Sequence, residues 1–433
     1  MIYYSLNNRS FKADFKQATI EGQAPDKGLY FPSEIPIWKE HFKNDLKNLS
    51  NLEIAFEIMH PYVGASIPSE YLKEILADTL SFDFPLRQIS EKIYSLELFH
   101  GPTLAFKDIG ARFLSRCLGY FAQSIGRKIT ILVATSGDTG GAVADAFYNV
   151  EGTEVIILYP SEKVSPVQEK QLTTMGGNIH ALEVKGDFDA CQLLVKMAFA
   201  DKELKEKLSL TSANSINISR WLSQQIYYAI AIKQWAEKKN PVISVPSGNF
   251  GNICAGLLTQ RSGLQIQHFI AACNKNDVFT RYLKTGNYTP RHSYATVSNA
   301  MDVGDPSNFI RVLELFNNNH TELSKHVSSE SISDELTFNT IREVYQKYNY
   351  ILDPHSAVAH RALDHWLEKY PSNKGIILGT AHPVKFPTTV EKSIQAAIPI
   401  PSKIETILKK EKNAILIDPN FAAIKEVIIE LAN

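Results

Sequence analysis

The chain has 433 residues, 44% of them hydrophobic and 21% charged, which excludes a disordered chain and gives length for two or three packed domains. Lys and Arg total 45 against 46 Asp and Glu, so no global field draws nucleic acid or an anionic membrane to the surface, and any anionic ligand has to be held by local geometry. Four scattered cysteines, Cys117, Cys191, Cys254 and Cys273, offer neither a C-x-x-C pair nor a zinc spacing, and no signal-peptide pattern or membrane-length apolar segment is present.

Residues 1–90 mix short apolar runs with Pro25, Pro32, Pro36, Pro61, Pro68 and Pro85 and carry helical patterns such as 71–79. They predict a small, mainly helical N-terminal domain. From about Ile93 β-branched runs alternate with helical stretches. Strands are predicted over 129–133, 154–158, 242–245, 267–271 and 375–378, and helices over 105–124, 140–149, 188–200, 219–238 and 252–262. This βαβα order argues for an α/β region over 91–400, with parallel sheets covered on both faces and ligands bound beyond the carboxyl ends of strands. Within it, residues 285–335 lose the pattern, in Asn317-Asn-Asn-His320 and the serine-rich stretch 328–333, and predict a loop-rich insertion. Residues 401–433 predict a C-terminal extension closed by a docked helix over 421–431. The whole predicts a cytoplasmic protein with no metal, nucleic-acid or membrane partner.

Five segments carry candidate chemistry. In Leu98-Phe-His-Gly-Pro-Thr-Leu-Ala-Phe-Lys-Asp108, Lys107 follows a Gly-Pro turn and mostly apolar residues. An amine desolvated there loses its charge more easily and becomes a nucleophile; the alternative is a surface lysine lying along apolar neighbours. Ala134-Thr-Ser-Gly-Asp-Thr-Gly-Gly-Ala142 presents hydroxyls and amides without a cation, which suits a carboxylate or a ring hydroxyl; the alternative is a helix start capped by Asp138 or Thr139. Ser212-Ala-Asn-Ser-Ile-Asn-Ile-Ser-Arg220 gathers amide, hydroxyl and guanidinium groups that suit a phosphate or carboxylate, against a polar cap with Arg220 in a structural ion pair.

Val245-Pro-Ser-Gly-Asn-Phe-Gly-Asn-Ile-Cys-Ala-Gly256 sets small residues between a strand and a helix, a phosphate cradle in physical terms but neither a P-loop nor a dinucleotide turn. Its alternative is a tight turn capped by Ser247 or Asn249. Last, Gly379-Thr-Ala-His-Pro-Val-Lys-Phe386 offers the Thr380 hydroxyl to a ring nitrogen, while His382 before proline reads as a structural residue more than as a base. A desolvated lysine, a phosphate cradle, a carboxylate turn and a hydroxyl for a ring nitrogen are together the parts that hold pyridoxal phosphate.

These segments, with Ala24-Pro-Asp-Lys-Gly-Leu-Tyr-Phe-Pro32, Ser165-Pro-Val-Gln-Glu-Lys170 and Ser298-Asn-Ala-Met-Asp302, resemble the threonine synthase family, a branch of the tryptophan synthase β-like, or type II, pyridoxal-phosphate enzymes. The resemblance covers nearly the whole chain and weakens over 285–335 and at the tail. It implies a type II fold of two parallel-sheet α/β subdomains with the small N-terminal domain. It also implies that Lys107 is the Schiff-base lysine, that Gly248, Asn249, Phe250, Gly251 and Asn252 bind the cofactor phosphate, and that Thr380 faces the pyridine nitrogen. Asp138 falls where many type II relatives carry an asparagine beside the ring hydroxyl. The implied reaction, catalysed by a carbon–oxygen lyase acting on phosphates, converts O-phospho-L-homoserine and water into L-threonine and phosphate, the last step of threonine biosynthesis. Thr135, Ser136 and Thr139 are then expected at the substrate carboxylate, and Asn214, Ser215, Arg220 and Lys163 at its phosphate, in a monomer or homodimer. A type II dehydratase, and a homologue that binds without turnover, are the competing readings.

Overall fold

The computed structural model describes residues 1–432. Two parallel sheets form its centre. One has five strands in the order Ile415–Ile417, Ile179–Val184, Thr153–Pro160, Ile129–Ala134 and Ser209–Thr211, all parallel. The other has six, in the order Val327–Ser331, His268–Cys273, Val242–Pro246, Gly375–Gly379, Ile93–Glu97 and Leu86–Gln88, of which only the last runs antiparallel. Every residue of Ile129–Ala134, Thr153–Pro160, Val242–Pro246 and Gly375–Gly379 is buried. Continuous burial of this kind requires helices on both sheet faces, which is why these strands read as unbroken apolar runs.

The predicted elements recur with small shifts of boundary. The helix Phe188–Ala200 stands as expected, with Asp187 accepting from the Ala190 N–H as its cap. The stretch 219–238 divides into Ile218–Leu222 and Gln225–Gln234. Between them the Ser223 hydroxyl donates to the Ser219 carbonyl and the Gln224 amide to that of Arg220, so side chains take up carbonyls of the first helix near the break.

Two expectations need correction. Residues 285–335 hold the helices Phe309–Leu315 and His320–His326 and the strand Val327–Ser331, which forms one edge of the six-stranded sheet. That edge strand buries only Val327, so it lacks the apolar signal of a central strand. The tail also contributes more than a docked helix: Ile415–Ile417 pairs in parallel with Ile179–Val184 and completes the five-stranded sheet before the helix Phe421–Ala432. The N-terminal residues are mainly helical and add a three-stranded antiparallel sheet of Lys12–Ala13, Tyr3–Ser5 and Tyr30–Pro32. Among the described residues no helix is long and apolar enough to cross a membrane.

Candidate active site

The carboxyl ends of strands from both sheets face one cleft of about 1570 Å³. Residues Gln23 to Pro25 and Leu29 of the N-terminal region help to wall it. Every site residue expected from the sequence lines this cleft: Lys107, Thr135, Ser136, Asp138, Thr139, Lys163, Asn214, Ser215, Arg220, Gly248, Asn249, Phe250, Gly251, Asn252 and Thr380.

Lys107 opens the helix Lys107–Ala122. The turn before it is fixed by Asp108, whose carboxylate accepts from the Thr103 N–H at 3.0 Å and from the Thr103 hydroxyl. Gly101 is needed there because a β-carbon would lie 2.3 Å from the Asp108 Oδ2. The segment is also laced to the Thr380 loop: Ala105 bridges Ala381, and the His382 N–H donates to the Leu104 carbonyl at 3.0 Å. Burial pushes the Lys107 amine below the ordinary lysine value, with Lys385 and Arg220 acting in the same direction against the opposing pull of Asp138 and Asp108.

Asp138 lies 3.8 Å from the Lys107 Nζ through Oδ2. Its Oδ1 takes the Nζ of Lys385 at 2.7 Å and the Nε2 of Gln168 at 2.8 Å. Burial alone would raise this carboxyl, but the ammonium groups of Lys385 and Lys107 outweigh it and hold the group below the usual carboxylate range. Gln168 is itself held by a reciprocal capping box with Ser165. Gly137 adopts φ +136°, and a β-carbon on it would meet the Gln168 Cδ at 2.5 Å, so only glycine lets the turn reach this pair.

Neither Asp138 nor Thr139 caps the following helix, Asp138–Phe147; its cap residue is Gly137, without a side-chain bond. The Thr135 hydroxyl braces the turn instead, accepting from the N–H groups of Gly137 at 3.0 Å and Gly140 at 2.8 Å. These two bonds occupy the acceptor sites of the Thr135 hydroxyl and leave its O–H to donate, the role that a carboxylate ligand would use. Ser136 and Thr139 are half-buried at the cleft wall.

The second turn likewise has no side-chain cap. Phe250 enters the helix Gly251–Arg261 in a left-handed conformation, φ 63° and ψ 2°. Ser247 donates to the Val245 carbonyl, and Asn249 is spread between the Ser215 hydroxyl at 2.6 Å and the Ser307 N–H, also at 2.6 Å. The amides of Gly248, Asn249 and Phe250 meet no acceptor among the described residues. A β-carbon on Gly248 would sit 2.8 Å from the Met301 Cα and 2.9 Å from the Ala300 carbonyl oxygen, so residues 299–302 press directly on the cradle. That segment is held by His355, whose Nε2 accepts from the Ala300 N–H at 3.1 Å while Nδ1 faces the Asp353 Oδ1 at 2.8 Å. Asn252 accepts from Tyr227 and Tyr228, each at 2.7 Å, and leaves its buried Nδ2 without a partner.

Free backbone amides at a helix start, an unpartnered amide donor, a desolvated amine and the Thr380 side chain on one wall fit a phosphorylated ring aldehyde. The residues present therefore suit pyridoxal phosphate.

Across the cleft, Arg220 is buried and donates to the Ala213 carbonyl. No carboxylate lies within ion-pair distance of it among the described residues, which removes the structural ion pair as its explanation. Burial lowers its value to about 10 against the opposing effect of Asp108. The cap of its helix is Asn217, which accepts from the Ser219 N–H at 3.0 Å. Asn214 and Ser215 are half-buried, and Lys163 is exposed at the rim. His382 is occupied as the cap of a short 3-10 turn, accepting from the Val384 N–H at 3.1 Å, and burial pushes it down to about 4.

Sequence reasoning missed Lys385, Gln168, His355 and Arg311. Arg311 is wholly buried over the Trp221 ring and donates to the carbonyls of Tyr30, Ser215 and Ile216 and to the Asn308 Oδ1. It thus ties the N-terminal region to the loop that carries Asn214 and Ser215.

Comparison with known proteins agrees with this geometry. A family model described as pyridoxal-phosphate dependent enzyme matches residues 81–378, flanked by models of the threonine synthase N terminus over 2–80 and C-terminal region over 356–428. The threonine synthase of Haemophilus influenzae is 44% identical over 435 residues, covering 99% of this chain and 100% of that protein. The crystal structure of threonine synthase from Escherichia coli superposes with a TM-score of 0.93 at 41% identity, over 99% of this chain and 100% of that one. The pyridoxal-phosphate-bound threonine synthase of Brucella melitensis matches with a TM-score of 0.93 at 33% identity over the full length of both chains.

Proposed function

The chain belongs to the threonine synthase family of pyridoxal-phosphate-dependent enzymes, and we propose that it converts O-phospho-L-homoserine and water into L-threonine and inorganic phosphate. The observation that carries this reading is the sharing of one cleft by a desolvated amine, Lys107, and a buried guanidinium without a carboxylate partner, Arg220. Pyridoxal phosphate, when bound, supplies an aldehyde to link to an amine and a ring that withdraws electrons from the substrate carbons.

The remaining work falls to side chains. Gly248, Asn249, Phe250, Gly251 and Asn252 bind the cofactor phosphate through amide donors, and Thr380 offers its hydroxyl to the ring nitrogen. A neutral hydroxyl there, in place of a carboxylate, leaves that nitrogen largely unprotonated. Lys107 anchors the cofactor and, once its Nζ is released, takes the proton from the substrate Cα as general base. The same amine is placed to move protons at the neighbouring carbons while phosphate leaves Cγ and water adds at Cβ. Thr135, Ser136, Thr139 and the amides of the 135–139 turn orient the substrate carboxylate. Arg220 with Asn214 and Ser215, and Lys163 from the rim, bind the phosphate that departs.

The division into an N-terminal domain over 1–90, a catalytic region over 91–400 and an extension over 401–433 supports this arrangement, the first walling the cleft and the last completing one sheet. Four buried free thiols support a reducing, cytoplasmic setting. The substrate is a small molecule, and the near-neutral charge balance argues against a nucleic-acid partner. Supplied with pyridoxal phosphate and O-phospho-L-homoserine, the purified chain should release inorganic phosphate; no release would contradict the reading.

A further inference from the structure

Lys385 is a buried cation packed against this site to which the reaction above gives no task. It is fully buried and is absent from the cleft wall, lying behind Asp138. Its Nζ makes two contacts, with the Asp138 Oδ1 at 2.7 Å and the Thr103 carbonyl at 2.9 Å. The same Thr103 carbonyl accepts from the Gln171 Nε2 at 3.0 Å, and Thr103 in turn donates to Asp108. Lys385 is therefore held on one side by Asp138 and on the other by Thr103, which also fixes the Lys107 turn.

The two oxygens of Asp138 are divided between two lysines. Oδ1 takes Lys385 and Gln168, while Oδ2 stands 3.8 Å from Lys107, beyond hydrogen-bond distance. The charged groups that bear on Lys107 from all sides are Asp138, Lys385, Arg220 and Asp108. Asp108 is itself faced by Lys385, Asp145 and Lys403. A carboxylate this close to an amine ordinarily holds a proton on it. Here the close contact is taken by another cation.

We propose that Lys385 is a positioning residue: it takes the near oxygen of Asp138, so that this carboxylate stays ionised at the turn and meets Lys107 only as a long ion pair at 3.8 Å, without a hydrogen bond. Lys107 thereby gives up its proton more readily, for cofactor capture and proton transfer. The proposal rests on the assignment of Lys107 as the reactive amine. Removing Lys385 leaves Asp138 with only Gln168 on Oδ1 and Lys107 as its nearest cation, so the proton affinity of Lys107 should rise.

The test is competitive acetylation of the full-length, cofactor-free chain with acetic anhydride from about pH 6 to about pH 10, read at Lys107 by peptide mass spectrometry. The rate of pyridoxal phosphate capture is followed over the same range. Lys385→Met should move the Lys107 midpoint up by about one pH unit, a loss of about tenfold in free amine below the midpoint. Asp138→Asn should move it down, and the charge-balanced double variant should return it to near the wild-type position. A purely structural role for Lys385 predicts lower thermal stability with the midpoint unmoved, and that result, or a fall in Lys385→Met, overturns the proposal. Should the single variants not fold, a wild-type Lys107 midpoint at or above the ordinary lysine value contradicts it directly. These readouts need no substrate, so a chain that shows the shifts and fails to turn over O-phospho-L-homoserine would refute the proposed reaction and leave the role of Lys385 standing.

Discussion

The backbone N–H of Phe106 donates to the carbonyl of Thr380 at 2.9 Å. Lys107 follows Phe106, and Ala381, which bridges Ala105, follows Thr380, so Lys107 and Thr380 are fixed relative to each other by main chain rather than by side-chain packing. Catalytic geometry depends on such fixed separations. The lacing survives side-chain replacement at either position, which makes both residues accessible to clean substitution.

Lys107→Ala should keep the fold, because the helix start is held by Asp108 and by the main-chain lacing. Turnover should fall by about 10³-fold or more, as expected when an anchoring amine and a general base are lost together. Circular dichroism and steady-state phosphate release check the two halves. Activity within tenfold of the wild type would remove Lys107 from the chemistry.

Gly248→Ala places a methyl group against the Met301 Cα and the Ala300 carbonyl, both backbone atoms that have little room to move. Overpacking of this kind costs about 1–3 kcal/mol, and it should appear as a raised Kd for pyridoxal phosphate. His355→Ala acts on the same contact from the other side, leaving the Ala300 N–H without its acceptor at a cost of about 1–3 kcal/mol. Equilibrium titration of the cofactor-free forms measures both. An unchanged Kd in both variants would show that residues 299–302 do not shape the cradle.

Arg220→Met removes a buried cation that has no carboxylate partner. Folding stability should be unchanged or slightly higher, since a desolvated charge is deleted along with its single backbone contact. The KM for O-phospho-L-homoserine should rise by about tenfold or more, the loss expected for one charge-assisted contact to phosphate, while cofactor affinity holds. A large drop in melting temperature without a change in KM would make Arg220 structural.

His360, on the helix Pro354–Lys369, is buried with both ring nitrogens unpartnered, and burial pushes it down to about 3. In the unfolded chain it titrates near 6.5, so between these values the unfolded state binds the extra proton. Its contribution to stability is then full above about pH 6.5 and is lost as pH falls towards 3. His360→Leu should stabilise the protein, by up to about 2 kcal/mol more at pH 5 than at pH 8. Urea unfolding at the two pH values measures the difference. Equal effects at both would mean that the ring is protonated or solvated in the folded state.

Much of the site was legible in the sequence because its loops follow continuous apolar strands. Gly137 and Gly248 mark places where the chain must turn tightly or approach another segment closely, and the hydroxyl and amide residues beside them have no competing role in a core. The capping alternatives at these turns were equally legible and needed coordinates to dismiss. Lys385 was hidden because a lysine between Val384 and Phe386 reads locally as a surface residue; its burial is created by Asp138, which lies far away in the chain. Arg311 and the strand Val327–Ser331 were hidden for a related reason. Both lie in a polar stretch whose order comes from partners elsewhere, Tyr30 and Ile216 for the arginine and His268–Cys273 for the strand. Local pattern reports apolar burial, and here the strand buries only Val327 while the burial of Arg311 depends on distant carbonyls.

The most direct measurement pairs two substrates. With pyridoxal phosphate bound, the protein should convert O-phospho-L-homoserine into inorganic phosphate and L-threonine in equal amounts, and should release no ammonia from L-threonine or L-serine at a comparable rate. Ammonia from either amino acid, with no phosphate from O-phospho-L-homoserine, would contradict the proposed reaction and assign the cleft to a dehydratase.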